Sequence, residues 1–399
     1  MNQQFDFFPN RQALFSELKN YSFSGKETKL EILNGRPYFI NEFWTARQRQ
    51  AHRIHEISYR ACFKPQLPAF FIDRLTKLGD IVYDPFMGRG TTAIESALRG
   101  RIPYGNDINP LSKALTEPRI NPPVLDQIIG RLAQIPWKSF KAIQNTKLLV
   151  FYHPKTLKQI EGLRSYLINK NKLDKVDSWI RMVALNRLTG HSSGFFSVWT
   201  LPPNQAVSIE RQKKINQQRN QRAIFKNVPE IIAKKSASLL SQAVPYVKKS
   251  LFLTELSDQT KKIPTASVQL TVTSPPFLDV VDYTVDNWLR CWFLGIDSQF
   301  IPITKHKNIE EWTSFINGAL KELARITRPK GYIAFEVGEV RRGKIKLEES
   351  VILAMKTLPL KVLGVMINQQ HFTKTANCWG ITNNKNGTNS NRIVLMQRT

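Results

Sequence analysis

The stretch from Ile81 to Asp107 leaves this chain few folds to choose from. Ile81-Val82-Tyr83 follows a Gly79-Asp80 break and reads as a short buried strand. The turn Asp84-Pro85-Phe86-Met87-Gly88-Arg89-Gly90-Thr91-Thr92 comes next, and Thr92–Leu98 is rich in helix formers and stops at Gly100. A second strand, Pro103-Tyr104-Gly105, runs straight into Asp107. Strand, glycine turn, helix, strand, acid: this order opens a doubly wound α/β sheet of the nucleotide-binding kind. Gly88 and Gly90 permit a tight bend and a close ligand approach, and the helix start offers free amide donors. Asp84, at the strand's end, is placed to receive an ammonium group. Asp107, 17 residues after Gly90, is placed to accept from ribose hydroxyls.

The turn lacks the third glycine of a dinucleotide fingerprint and the Gly-Lys-Ser/Thr of a phosphate loop. An acid directly before it suits a zwitterionic, amino-acid-bearing nucleoside better than a pyrophosphate. The same alternation returns later, with strands at Leu251–Leu253, Val268–Thr273, Tyr332–Val337 and Arg392–Met396, and a helix over about Trp312–Ile326. Residues 112–250 differ: they read as mostly helical, with an aromatic patch at Phe195-Phe196-Ser197-Val198-Trp199 and a Pro202-Pro203 break. The expected architecture is an N-terminal extension (1–45), one α/β domain in two pieces (46–111 and 251–399), and an insertion (112–250). A helix is expected over about Thr45–Ser58, and no distinct chemistry in residues 1–45.

Charge narrows the partners. The formal net charge is +27, and residues 112–250 hold 24 Lys/Arg against 7 Asp/Glu. Such an excess points to a polyanion, nucleic acid or an anionic membrane surface. No apolar stretch of about 18 residues occurs, and the first residues carry no basic-then-apolar signal pattern, so no membrane partner is expected. Cys62, Cys291 and Cys378 lie far apart, suggesting neither a zinc knuckle nor a disulfide scaffold. No metal is expected, and a reducing cytoplasm fits best.

Thr273-Ser274-Pro275-Pro276-Phe277 ends an apolar strand, where open α/β sheets put their active sites. An exocyclic amine on a base is a poor nucleophile because its lone pair is delocalised into the ring. Acceptors for its two N–H groups direct that lone pair outward. Ser274 Oγ and the Pro275 carbonyl can be those acceptors, Pro276 stiffens the backbone, and Phe277 can stack on a base turned out of a helix.

These residues resemble a known family. Asp84-Pro-Phe-Met-Gly-Arg-Gly-Thr91 is similar to the cofactor motif of the amino-methylating DNA methyltransferases, and Ser274-Pro-Pro-Phe277 to their catalytic motif. Phe63-Lys64-Pro65 resembles the Lys-Pro segment that precedes their cofactor helix. The resemblance implies a Rossmann-like methyltransferase sheet with helices on both faces and a closing antiparallel hairpin, for which Thr375–Gly380 and Asn391–Leu395 are the matching segments. It implies S-adenosylmethionine as cofactor, with Lys64, Asp84, Phe86, Gly88, Gly90 and Thr91 around it. Asp107 then holds the ribose, and Asp258 reads the adenine amine. Ser at position 274 is associated in that family mainly with N4-cytosine enzymes, and Asp or Asn with N6-adenine enzymes. N4 of cytosine is therefore the expected target, with N6-adenine, an RNA base, or an inactive DNA-binding protein on the same fold as alternatives. A C5-cytosine enzyme needs a thiolate, usually in a Pro-Cys pair, and none occurs.

The two motifs stand about 185 residues apart with the basic insertion between them, an order in which the family usually holds its target-recognition region there. Arg211-Gln-Lys213-Lys214-Ile-Asn-Gln-Gln-Arg219-Asn-Gln-Arg222 combines phosphate-binding cations with base-reading amides, and Arg187 flanks a Gly190 helix stop. Double-stranded DNA is the expected partner. A cognate restriction endonuclease accompanies it if the chain belongs to a restriction–modification pair; oligomeric state is not legible.

Overall fold

The computed structural model of the protein describes residues 11–44, 51–60, 62–200, 206–278, 283–302, 306, 308–340, 345–369 and 390–399. The chain opens with α1 (Arg11–Asn20), a small ribbon of β1 (Ser22–Phe23) and β2 (Lys26–Glu27), then β3 (Lys29–Leu33) and β4 (Arg36–Asn41). α2 (Gln66–Leu75), β5 (Ile81–Asp84), α3 (Thr91–Leu98) and β6 (Ile102–Asn106) follow. Next come α4 (Pro110–Thr116), α5 (Leu125–Gln134), α6 (Pro154–Ile168), α7 (Lys175–Arg187), α8 (Ile209–Gln218) and α9 (Val228–Leu239). The sheet resumes with β7 (Leu251–Leu253) and β8 (Val268–Thr273), then α10 (Tyr283–Asp286), α11 (Trp288–Leu294), α12 (Ile309–Ile326) and β9 (Thr327–Val337). A ribbon of β10 (Glu339–Val340) and β11 (Ile345–Lys346), α13 (Leu347–Ala354), β12 (Leu360–Gln369) and β13 (Ser390–Arg398) complete it.

Among the described residues, nine strands form one mixed sheet in the order β3-β4-β12-β13-β9-β8-β5-β6-β7. The five from β9 to β7 are parallel to one another, while β13 runs antiparallel between β9 and β12. The chain steps outward from β5 to β7, then returns to lay β8 on the other side of β5. Asp84 and Thr273 thus end two adjacent strands at a topological switch point, where such sheets leave a crevice.

Both faces are covered, and all six residues of β8 are buried, Gln269, Thr271 and Thr273 included. Alternation splits them between two cores. Val82, Ala334, Ile393 and Leu395 pack with Leu67, Phe70, Phe71, Ile72 and Leu75 of α2. Tyr83, Phe335, Val394 and Met396 pack with Trp312, Ile316, Leu320 and Leu323 of α12 and Val351 of α13. At about 1.5–3 kcal/mol per buried large side chain, this apolar face holds α2 in place. A third core joins Ala93, Ile94 and Leu115 to Ile160, Trp179, Val183 and Ile232, so the helices between β6 and β7 share their interior with the α3 side of the sheet.

Several expectations shift. The segment 1–45 is not a bare extension: β4 pairs in parallel with β12, and β3 edges the sheet beyond it. Within 51–58 only Arg53–His55 is helical, as one 3₁₀ turn. Residue 112 falls inside α4 rather than between elements. β9 begins at Thr327, five residues early, and runs through Pro329 with Lys330 in a left-handed backbone (φ 63°). The antiparallel closure is β12 with β13; Thr375–Gly380, Trp379 included, lies outside the described residues.

Candidate active site

The glycine turn is built as its sequence demands. Gly88 and Gly90 have φ of 50° and 79°, and Gly90 caps α3. A Cβ on Gly90 would land 2.3 Å from the Thr116 side chain, whereas one on Gly88 would only touch the Tyr59 ring at 3.5 Å. The close approach at Gly90 is therefore to α4, not to a ligand. Fully buried Arg119 fastens the turn from below, donating to the carbonyls of Arg89, Leu115 and Ile54. Above, the Gly88 amide donates to Asp107 Oδ2 (2.9 Å), and Asp107 Oδ1 accepts from the Asn109 amide (2.9 Å). Burial raises the Asp107 pKa while these bonds oppose the rise. Each carboxylate oxygen has two lone pairs, so Asp107 keeps capacity for hydroxyl donors.

Asp84 lies beneath the turn rather than on a cleft wall, 1% exposed. Its Oδ1 accepts from Thr273 Oγ1 (2.6 Å) and the Phe86 amide (3.0 Å), tying the tips of β5 and β8 together, while Oδ2 has no partner. Burial pushes its pKa up to about 7. The folded chain then binds more protons than the unfolded one between about pH 4 and 7, so this group's contribution to stability falls as pH rises through that window. In thermal unfolding, Asp84→Asn should therefore gain on the wild type at pH 8 relative to pH 5. An identical Tm gap at both values would contradict the assignment.

Ser274 leaves β8 beside this turn. Its hydroxyl donates to Glu336 of β9, which also accepts from Asn391 Nδ2. Burial raises the Glu336 pKa. The Pro276 carbonyl accepts from the indole Nε1 of buried Trp312 (2.9 Å), which pins the loop to α12.

One cleft of about 950 Å³, its open mouth included, joins the two loops. Phe86, Gly88, Thr91, Asp107, Ser274 and Pro276 all line it. Tyr59, Phe63 and Phe315 add aromatic walls, the last stacked on Phe86 at 5.7 Å. Other expected residues fall elsewhere. Gly90 lies behind the wall, and Lys64 is half-buried outside it with its pKa lowered by burial. Pro275 is buried, and Phe277 packs on the α12 core. Asp258 is exposed beside Gly318, and its neighbours Leu256 and Ser257 line the cleft instead. Glu336, Trp312 and Phe315 were missed. Only Glu336 left a signal, an acid at the end of an otherwise apolar strand. Among the described residues, no group of three or more His, Cys, Asp or Glu could hold a metal, and no helix is long and apolar enough to cross a membrane.

Within the insertion, Gln212 and Asn216 turn inward, donating to the Trp199 and Val150 carbonyls. Arg211, Lys213, Lys214, Arg219 and Arg222 are exposed, with the Arg219 guanidinium 3.9 Å over the Trp199 ring. Arg187 differs: it is packed over the Phe195 ring at 4.0 Å and donates to the Asn186 carbonyl, and burial lowers its pKa to about 10. Its place is in the fold, not on a basic face.

Residues 11–117 match the model of the N6/N4 methyltransferase family, described as DNA methylase. Over 74 residues the chain is 38% identical to Type II methyltransferase M.MjaII of Methanocaldococcus jannaschii, covering 18% of this chain and 14% of that one. Over 152 residues it is 25% identical to Type II methyltransferase M.MvaI of Kocuria varians, covering 37% and 30%. The chain thus spans less than a third of either relative's length. Among solved structures, TrmN from Thermus thermophilus is 10% identical with a TM-score of 0.32, covering 85% of this chain and 50% of that one.

Proposed function

From a chain whose residues 11–117 match the DNA methylase family model, we propose an S-adenosylmethionine-dependent DNA methyltransferase that methylates N4 of a cytosine rotated out of the duplex. One observation carries the reading: the glycine turn with its acid and the Ser-Pro-Pro loop line a single cleft at the sheet's switch point. The cleft fits the cofactor. Aromatic walls suit a purine, Asp107 suits ribose hydroxyls, and Thr91 at the start of α3 suits a carboxylate. The cofactor supplies an electrophilic methyl group.

The chain's own residues handle the amine. Ser274, its proton given to Glu336, turns oxygen lone pairs towards the cleft and accepts an N–H from the base, which brings the nitrogen lone pair forward. When the nitrogen gains its fourth bond, its surplus proton passes to Ser274 Oγ as the serine proton passes to Glu336, a buried carboxylate whose raised pKa suits it to receive one. Asp84 keeps the two loops in register through Thr273.

The reading is tested by incubating the full chain with labelled cofactor and, separately, random-sequence duplex DNA and tRNA, then digesting to nucleosides. N4-methylcytosine from DNA is expected. N6-methyladenine would move the target, and label in tRNA alone would overturn the DNA reading. Residues 112–250 serve in this proposal as the DNA reader. Reversing Lys213 and Lys214 to Glu should weaken DNA binding and flatten the plot of log Kd against log salt by roughly two units or more. An unchanged slope removes α8 from the interface.

A further inference from the structure

Two exposed apolar side chains, one on the turn that leads into the cleft and one on the helix packed against that turn, have no use in the chemistry above. Phe300 is 84% exposed, the highest value among the large hydrophobic side chains described, and Val285 is 60% exposed. A lone exposed apolar residue is ordinary; the placement of these two is what matters. Phe300 closes a 3₁₀ turn, Ser298–Phe300, capped by Asp297 Oδ1 at the Gln299 amide (2.9 Å) and anchored behind by buried Ile301. Pro302, two residues on, lines the cleft, so the Phe300 backbone lies within about 7 Å of a cleft residue. Val285 sits on α10, which packs against that same turn.

The support under this pair is shared with the basic face. The Ala206 amide donates to the Asp286 carbonyl (3.1 Å), and Trp288 Nε1 donates to the Val207 carbonyl (3.3 Å), just before α8 begins at Ile209. The exposed cations of α8 and an apolar projection beside the cleft are thus mounted on one framework. We propose that Phe300, backed by Val285, is a wedge that enters the duplex and fills the slot vacated by the target base. The proposal rests on the DNA-methylation reading. Physically, extruding a base breaks its pairing and stacking. An aromatic ring in the vacated slot restores part of that stacking and holds the opened state, as apolar wedges do between base steps.

The test uses the full chain, Phe300→Ala and Phe300→Trp, on two versions of a duplex that the wild type methylates: fully paired, and with the target base opposite an abasic site. Phe300→Ala should lose about 10- to 100-fold in methylation rate on the paired duplex. Its loss on the abasic duplex, where the base is already loose, should be under about threefold. Phe300→Trp should keep near-wild-type rates on both. Fluorescence of 2-aminopurine at the target position should fall with Phe300→Ala on paired DNA, while Tm and cofactor binding stay unchanged. Equal losses on both duplexes, or no loss on either, overturn the wedge; the second outcome would assign the ring to another partner, such as a protein. A wild type that methylates no DNA defeats the underlying reading and the wedge together, whereas an active wild type with an indifferent Phe300 defeats the wedge alone.

Discussion

Replacing Ser274 with alanine is expected to leave cofactor affinity near its wild-type value while turnover falls by roughly 10²–10³-fold, the usual cost of removing one positioned hydrogen-bonding group from a reacting centre. The split follows from geometry. In the proposed reading Gly88, Thr91 and Asp107 hold the cofactor, and Ser274 lines the same cleft from the tip of β8. The substitution also strips one donor from Glu336, which keeps Asn391. Glu336→Gln should give a smaller loss, and combining it with Ser274→Ala should add little, because both act on one proton path. Equilibrium binding of labelled cofactor, beside single-turnover methylation, separates the two effects. Parallel losses of binding and turnover would mean that Ser274 helps build the cofactor site rather than aim the amine.

Gly90→Ala should be strongly damaging. The new methyl group meets Thr116 at 2.3 Å, and the backbone must hold φ at 79°. Overpacking of this kind costs about 1–3 kcal/mol and a left-handed non-glycine residue about 1–2 kcal/mol more. Against a total stability of about 5–15 kcal/mol, a Tm drop on the order of 10 °C is expected, with the cofactor site lost. Gly88→Ala, where the added group meets only Tyr59 at 3.5 Å, should cost only the backbone term. Thr116→Ala should rescue part of the Gly90→Ala defect and none of the Gly88→Ala one. A calorimetric series across these four variants reads the difference; equal damage at both glycines would mean that backbone strain alone sets the cost.

The parts legible in the sequence are those whose cause is local. Strand, turn and helix from Ile81 to Leu98 follow from periodicity and two glycines, and the Ser274 loop announces itself at a strand end. β12 escaped notice although Leu360–Gln369 is apolar, because a strand buried on both faces shows no alternation. β3 and β4 escaped although they form a local hairpin about Asn34-Gly35; only the β4–β12 pairing spans over 300 residues. The cleft's aromatic walls are likewise products of packing: nothing near Phe315 distinguishes it from the rest of the α12 apolar face. Asp258 shows the opposite failure, a plausible residue type one step along from the two that reach the cleft. Arg187 shows a third, a cation whose burial no local pattern betrays.

The sheet joins its ends late. Asn368 accepts hydrogen bonds from the Phe43 and Trp44 amides across 325 and 324 residues, and β13 threads between β12 and β9. During synthesis, β4 has only β3 beside it and must wait for almost the whole polypeptide before β12, its other neighbour, exists. Meanwhile its aromatic side chains, Tyr38 on one face and Phe39 on the other, lack the two cores they finally join. Such long-range pairing slows assembly and leaves sticky intermediates exposed. Expression at low temperature or with abundant chaperone should then favour the native protein over aggregates.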